Sequence, residues 1–445
     1  MRTGLKLFLI GGLLVALMLP ILSLRGLVWE RQQRGLEAAA DIARSSSRDQ
    51  HLVGPLLLIE SEETVQRTRS MHDGDAAAEV FHEEIRRRRQ QLIAPDVLEM
   101  DNVLSARERR RGLFGALIYT DQLAVKARFA MPAPPPIEGD LIAHRWLGAA
   151  LVMGVGDARG IQRLSVMVDG NELRVEPGSR VGFIAEGVHA PLEISGRQSG
   201  RHMEVRIDAQ LQGTQSVHWS PLAGEARVSV QADWPHPSFQ GRRLPDEPAI
   251  ASDGFSADWT VSRLSSQSLQ ALARCEVDGS HCPAVDDAGF GVRLVDPVDR
   301  YLKTDRAIKY ALLLLVLVFG AVFFLEALRG VDVHPLQYGL TGIALAMFFL
   351  LLLSLSEHIG FGPAYALAAA ACVGLIGFYM SAVLGSRRRG GLFGALVAGL
   401  YGLLYGLLQS EDYALLMGSL ALFALLACVM LMTRRLDWRR VGRQA

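Results

Sequence analysis

The sequence predicts a polytopic α-helical membrane protein of six spans, with a large β-rich, sandwich-like domain inserted between the first and second spans. Three observations carry that prediction. Charge is partitioned along the chain: Tyr310 to Thr433 holds nine charged residues in 124, whereas Arg25 to Lys309 holds 75 in 285. Six apolar segments are long enough to cross, as helices, a hydrocarbon layer about 30 Å thick. Between the first and second of them, apolar and polar residues alternate in short runs punctuated by Gly and Pro, as half-buried strands require.

The overall balance excludes two classes. With 46 basic and 46 acidic side chains and 50% hydrophobic residues, the chain lacks the low hydrophobicity and charge imbalance of a disordered protein. Nor is there a net positive field to gather nucleic-acid phosphates. Only Lys6, Lys126, Lys303 and Lys309 among the bases are lysines, and we attach no function to that arginine richness.

Residues 1–28 form an N-terminal anchor. Its apolar stretch, Leu7 to Leu24, follows Arg2 and Lys6 and has the outline of a signal peptide. It is longer than a usual h-region, and Leu22-Ser23-Leu24-Arg25 is a poor small-x-small cleavage site, so it reads as uncleaved. Trp29 then stands at the membrane interface. Residues 300–433 form a five-helix bundle with spans at Tyr310–Leu328, Tyr338–Leu355, Ala364–Leu384, Leu392–Leu408 and Tyr413–Met432, followed by a basic tail, 434–445.

Orientation follows from the arginines, because short cytoplasmic loops carry the excess of Lys and Arg. Arg387, Arg388 and Arg389 fall between the fourth and fifth spans, and Arg434, Arg435, Arg439, Arg440 and Arg443 follow the sixth. The loops Ser356–Pro363 and Gln409–Asp412 contain no base. Both termini are therefore expected in the cytoplasm of a bacterial cell, with residues 29–299 in the periplasm and the lipid bilayer of the inner membrane as one partner. One stretch runs against the rule. Asp299 to Lys309 is basic yet falls outside, and we read Tyr301, Lys303, Asp305, Arg306 and Lys309 as an interfacial motif at the outer headgroups.

The exported part opens with a helix-prone region, Glu30 to Arg44, then the apolar run Val53 to Ile59. Glu79 to Gln91, which includes Arg86 to Arg89, reads as a short solvated helix. Pro132-Ala133-Pro134-Pro135-Pro136 reads as an extended linker or loop. Strand signals dominate beyond it. Arg163–Val168 meets Glu172–Val175 across Asp169-Gly170-Asn171, a hairpin signature. Met203–Ala209, Ala226–Val230 and Phe255–Val261 alternate in the same manner, and an antiparallel sandwich or related β-rich fold is expected.

Cys275 and Cys282 lie in this exported part, where thiols are oxidised, and a local disulfide is expected between them. A metal site with His281 is the alternative, but it is short of ligands. Cys372 and Cys428 lie in spans and read as packing residues. The search for chemistry is otherwise negative. No lysine follows a glycine, Gly154 to Gly160 misses the dinucleotide pattern, and His82-Glu83-Glu84-Ile85-Arg86 has arginine where a second zinc ligand would stand. No catalytic residue, cofactor or metal is assigned, and the chain is not read as an enzyme.

Ionisable groups in or beside spans are costly and mark helix contacts or a pathway. Glu326 lies near the end of the second span. His334 and Gln337 open the third, Glu357 and His358 close it, and Glu411 and Asp412 open the sixth. Glu357 and His358 could relay protons, or could snorkel to water and bond neighbouring helix ends. Gly402 and Gly406 offer a small-xxx-small face for close helix packing.

Several long polar-studded strings resemble one known family. They are Arg300 to Ala311, Phe323-Phe324-Leu325-Glu326, His334-Pro335-Leu336-Gln337-Tyr338, Leu353 to Phe361, Glu411 to Leu416 and Thr433 to Trp438. Gln50 to Pro55, Arg111-Gly112-Leu113-Phe114 and Trp234 to Phe239 belong to the same set. In these the chain resembles the CreD family of cell envelope integrity proteins. The resemblance implies an inner-membrane protein of the regulon of the Cre two-component system, linked to envelope integrity, β-lactam stress response and altered colicin sensitivity, with no established catalysis. Two readings follow: an envelope protein that senses or scaffolds envelope proteins or lipid precursors, and a transporter or flippase of an envelope constituent. An exported hydrolase would need a nucleophile–base pair that linear sequence does not reveal.

Overall fold

The computed structural model describes residues 3–71, 79–193, 200–264, 268–296, 300–329 and 333–409, with scattered positions from 416 to 430. Contacts divide the chain into two compact units, Glu37–Pro297 and the combination of Met1–Leu36 with Val298–Ala445.

Helix α1 runs unbroken from Thr3 to Ser45, joining the anchor to the helix-prone region behind it. Strands β1 (Gln50–Met71), β2 (Glu79–Ile93), β3 (Val97–Arg111) and β4 (Phe114–Ala130) precede the Pro-rich loop, and β5 (Leu141–Gly154) follows it. Next come β6 (Ile161–Val168), β7 (Asn171–Leu173), β8 (Glu176–Pro177), β9 (Gly187–Leu192), β10 (His202–Thr214) and β11 (Ser216–Ser220). Strands β12 (Glu225–Ala232), β13 (Pro237–Gly241), β14 (Ala249–Ala251) and β15 (Gly254–Val261) lead to the short helices α2 (Ser268–Leu272) and α3 (Pro283–Asp287) and to β16 (Phe290–Leu294). The other unit continues with α4 (Arg300–Lys309), α5 (Ala311–Arg329), α6 (Pro335–Ile359), α7 (Phe361–Val383) and α8 (Arg387–Gln409).

The strands form two eight-stranded sheets. One has the order β13-β16-β11-β1-β5-β9-β8, with β2 along the far half of β1; the other is β14-β15-β12-β3-β4-β10-β6-β7. They share one apolar core. Leu117, Tyr119, Leu123, Val125, Ala127 and Phe129 of β4 alternate inward to meet Leu57, Ile59, Leu151, Val217 and Trp219 of the facing sheet. Trp259 stacks on Phe290 across the sheets at 5.2 Å and lies 5.8 Å from Trp219. Aromatic pairs at such spacing add to what their area burial contributes.

The first sheet is covered on its other face as well. Val53, Leu56 and Leu58 of β1 and Val152 of β5 pack against Leu272, Ala284 and Val285 of the α2–α3 cap. A strand buried on both faces reads as a continuous apolar run, which is why Val53 to Ile59 shows no alternation. A disulfide between Cys275 and Cys282 closes the cap, with Cα atoms 5.4 Å apart. The sheets meet at Gln215, where β10 ends and β11 begins. Its N–H donates to Leu117 O of one sheet (2.9 Å) and its carbonyl accepts from Leu294 N of the other (2.8 Å).

The hairpin at 169–170 turns on positive φ at Asp169 (49°) and Gly170 (82°), the backbone that a two-residue primed turn demands. Three expectations are corrected. Glu79 to Gln91 is not a helix but most of β2, paired antiparallel with β1. Its arginines are matched by carboxylates across the ladder, with Glu62 opposite Arg88 and Glu63 opposite Arg87, and that pairing overrides helix propensity. The sheets are not wholly antiparallel, because β1–β11 and β3–β12 run parallel. Arg387 to Arg389 form the first turn of α8 instead of a loop.

Among the described residues, four helices are long and apolar enough to cross a membrane, or five if the α4–α5 pair, bent by 44°, counts as one span. The sixth expected span, Tyr413–Met432, and the tail lie outside the continuously described residues.

Opening the short Cys275–Cys282 loop is expected to lower the unfolding free energy by about 2 kcal/mol. Denaturant melts of wild type and the Cys275→Ser, Cys282→Ser variant in micelles measure this. Identical midpoints would mean the cap does not depend on its bridge.

Candidate functional site

In the helical unit, polar side chains gather at two levels, and α1 contributes cations to both. At the first, the Lys6 ammonium, 5% exposed, pairs with Glu326 of α5. The other carboxylate oxygen of Glu326 accepts from the Tyr338 hydroxyl of α6 at 3.1 Å. Neither α1 nor α5 could hold its charge alone beside hydrocarbon, since an ionised group needs a partner there. Next to this triad α6 begins with a cap. His334 Nδ1 accepts from Leu336 N (3.2 Å) and Gln337 Oε1 accepts from His334 N (3.0 Å), which satisfies N–H groups that have no partner within the helix.

The second level is built around α4. The Tyr301 hydroxyl donates to Glu357 Oε1 of α6 (3.2 Å), and Arg31 of α1 approaches the same oxygen at 3.8 Å. Arg300 Nη1 donates to the last-turn carbonyls of α6, Glu357 O (3.0 Å) and Ser356 O (3.4 Å). Asp305 accepts from Arg25 Nε at 2.8 Å and pairs with Lys309 at 2.9 Å. Lys303 lies over the Phe361 ring, 5.9 Å from its centroid. The basic motif of Tyr301, Lys303, Asp305 and Lys309 is thus a clamp on α1, α6 and α7, and half-buried Arg306 lies on the same helix.

Between the levels the bundle is mainly apolar. A Cβ on Gly342 would stand 2.2 Å from Leu17 of α1 and 2.9 Å from Phe319 of α5, so glycine lets three helices meet there. An apolar groove of about 460 Å³ between α6 and α7 has only Thr341, Cys372 and Tyr379 as polar lining. Neither Glu326 nor Glu357 lines this groove, and His358 is exposed. Glu411 and Asp412 lie outside the described residues. The close approach of α7 and α8 uses Gly377 and Gly394, where a Cβ on either would stand 3.5 Å from the Cα of the other, and Gly390 against Ser381. A Cβ at Gly402 or Gly406 would meet nothing within 4 Å among the described residues.

The β-rich unit holds ionisable groups that no sequence motif flags. Asp157, 1% exposed, accepts from Arg159 Nη2 (2.6 Å) and Nε (3.0 Å) and from Arg48 N (3.0 Å). These bonds, the Arg159 side chain first, hold its pKa down to about 2 against the opposing effect of burial. Arg159 also donates to Arg44 O at the end of α1 (2.7 Å), a cation where a helix terminus favours one. Asp121 is the opposite case. It points into the sandwich core, neither carboxyl oxygen has a hydrogen-bond partner of ordinary geometry, and burial pushes its pKa up to about 8. It is therefore mainly protonated at neutral pH. His51 Nε2 lies 2.8 Å from Ser220 Oγ, but the Ser220 hydroxyl donates to Val285 O (2.8 Å) and is fully buried. The pair is not presented to a substrate as a nucleophile and base. Burial, then the neighbouring His218, lowers the His51 pKa.

The family profile described as Inner membrane protein CreD matches residues 2–439. The chain belongs to the CreD family. A CreD relative, Inner membrane protein CreD of Escherichia coli (strain K12), is 33% identical over 439 residues, covering 96% of this chain and 92% of the relative. Two solved structures align weakly. An M1 zinc metallopeptidase from Deinococcus radiodurans has 9% identity and a TM-score of 0.18 over 37% of this chain and 38% of that one. Leukotriene A4 hydrolase from Saccharomyces cerevisiae has 11% identity and a TM-score of 0.20 over 38% and 27%. At those scores neither carries fold or chemistry to this chain. Four strings that resemble CreD proteins, Arg300 to Ala311, Phe323 to Glu326, His334 to Tyr338 and Leu353 to Phe361, contain most of the two polar levels.

Removing one partner of the Lys6–Glu326 pair should destabilise the bundle by about 3 kcal/mol, because the other charge is left unpaired. Lys6→Met with Glu326→Gln should recover most of that loss. Thermal unfolding of the singles and the double variant in micelles tests it; a double that loses the sum of the singles would mean the two act independently.

Asp121 supplies a pH test. Its pKa is raised in the folded state above that of the unfolded chain, so its contribution is fully present below about pH 4 and is lost as pH rises through about 8. The melting temperature should fall on going from pH 6 to pH 9, and Asp121→Asn should flatten that slope. An unchanged slope would assign the alkaline loss to other groups.

Proposed function

We propose that the protein is an inner-membrane envelope integrity and stress-response protein whose β-rich unit, exported to the periplasm, senses or scaffolds envelope components. In this reading both termini are cytoplasmic, the helices anchor the chain, and no catalytic step or cofactor is involved. One observation carries it. Lys6 with Glu326, and Arg31 and Tyr301 with Glu357, are bonded to one another at two levels separated by an apolar interior, so the β-rich unit is the part that presents the broader polar surface. Its second sheet presents a mixed-charge groove of about 470 Å³ along β3, β4, β6 and β10, lined by Glu99, Lys126, Arg128, Glu204 and Arg206. Alternating charges at register positions suit polar partners in water better than a lipid interior.

Photo-crosslinking residues at Glu99, Arg128 and Arg206 in living cells should trap envelope proteins or lipid precursors. Clean absence of adducts at all three, with the protein inserted and folded, would sink the proposal.

A second reading, a transporter or flippase of an envelope constituent, has the 44° bend between α4 and α5 in its favour, since broken spans border transported substrates in many transporters. If it holds, the combined change Glu357→Gln, His358→Ala and Glu411→Gln should abolish the envelope phenotype while the protein still inserts. Full activity in that variant removes the transport reading.

A further inference from the structure

At the α4 level, cations outnumber carboxylates. Among the described residues, Arg25, Arg31, Arg300, Lys303, Arg306 and Lys309 stand against Asp305 and Glu357; Glu30 and Arg34 nearby pair with each other at 2.6 Å. These cations are not equally available. Arg300 is committed to the carbonyls that end α6, Arg31 approaches Glu357, and Lys303 lies over Phe361.

Arg25 and Lys309 differ. They hold opposite oxygens of one carboxyl group, Asp305 Oδ1 and Oδ2, at 2.8 and 2.9 Å. Their side chains remain 51% and 52% exposed, against 23% for Asp305. The three groups make a notch with one surplus positive charge. Guanidinium has five N–H donors and ammonium three, so each retains donors after bonding Asp305. A guanidinium and an ammonium held side by side, pre-oriented by a shared carboxylate, suit the oxygens of a phosphate.

The depth of the notch identifies where that phosphate comes from. Along α1, Arg25 lies about 28 Å from Lys6 at 1.5 Å per residue, close to the hydrocarbon thickness of about 30 Å. Tyr338 and Glu357 mark the same interval on α6. Leu22, one turn before Arg25, is 53% exposed, and Trp29, one turn after it, is 64% exposed. Tyr310 adjoins Lys309. Exposed leucine giving way to exposed arginine and tryptophan is the sequence of layers from acyl chain to headgroup.

We propose that Arg25 and Lys309, held in place by Asp305, bind the phosphate of an anionic phospholipid headgroup. This rests on reading the helices as membrane spans and is independent of what the β-rich unit recognises. Asp305 orients the two cations and repels a second anion, which limits the notch to one phosphate. The lipid adds a contact between α1 and α4 at the surface.

The test uses the full-length protein in micelles supplied with phosphatidylglycerol or phosphatidylcholine, with bound lipid counted by native mass spectrometry. Phosphatidylglycerol should be retained about fivefold over phosphatidylcholine, the factor that one surplus charge near a membrane surface supplies. Arg25→Gln or Lys309→Gln alone leaves the notch neutral and should reduce that preference to none, the double change should not restore it, and Asp305→Asn should raise it. Inorganic phosphate at millimolar concentration should leave it unchanged. Equal retention of the two lipids by wild type, an undiminished preference in the double variant, or displacement by inorganic phosphate would each overturn the proposal. Should the double variant fail to fold, the single variants decide it. Crosslinking from the β-rich unit would be unaffected by these changes, so failure here is distinct from failure of the envelope-sensing reading.

Discussion

A charge kept beside hydrocarbon has to be neutralised, and in the helical unit that requirement sets which helices touch and at what height. Lys6 and Glu326 are 320 residues apart, and each is tolerable only because the other is present. The same logic repeats at Arg25 with Asp305 and at Arg31 and Tyr301 with Glu357. Helix α1 is largely exposed along its apolar length, with Phe8, Val15 and Leu19 turned outward. It is tied to the bundle by a buried apolar stripe of Ile10, Leu17, Ile21 and Val28 and by its ion pairs at Lys6, Arg25 and Arg31. Two fastenings on one rigid rod determine both its depth and its rotation, which a purely apolar contact would leave free to slide.

The β-rich unit solves a different problem by related means. Its central strand β1 is covered on both faces, so polar groups that end up inside need partners from the chain itself. Trp219 Nε1 donates to Asn102 Oδ1 (3.1 Å), and Asn102 Nδ2 donates to Ser229 O (3.0 Å), joining the two sheets through one buried amide. Gln50 donates to Asp157 O and Gln212 O where α1 hands over to β1. Asp121 breaks the pattern and adapts by holding a proton.

The legible parts of this molecule were those governed by local physics. Alternation disclosed β10, β12 and β15, and Asp169-Gly170 disclosed its hairpin, because strand faces and primed turns depend on residues close in sequence. Apolar length disclosed the helices for the same reason. The strand β2 was hidden because four consecutive arginines look solvated until their cross-strand carboxylates are known. In sequence Lys6 and Arg25 merely flank the first apolar stretch, and their role as helix fastenings appears only when distant residues are brought together. The CreD resemblance located the polar strings without saying what they touch. Among the described helices, close approach occurs where opposing backbones cross, at Gly377 and Gly394.

The crossing at Gln215 has a consequence for how the chain must be made. Strands β1 and β3 lie at the centres of their sheets, yet each awaits a parallel neighbour synthesised much later: Gln50 is matched with Val217, and Val97 with Glu225. Neither sheet can be completed before the chain has passed through the turn that joins them. Loop closure over such separations is slow, and unpaired edges stay open meanwhile. A ribosome that has delivered only the first half of this unit has therefore produced two incomplete sheets, and the sandwich closes as one late cooperative event.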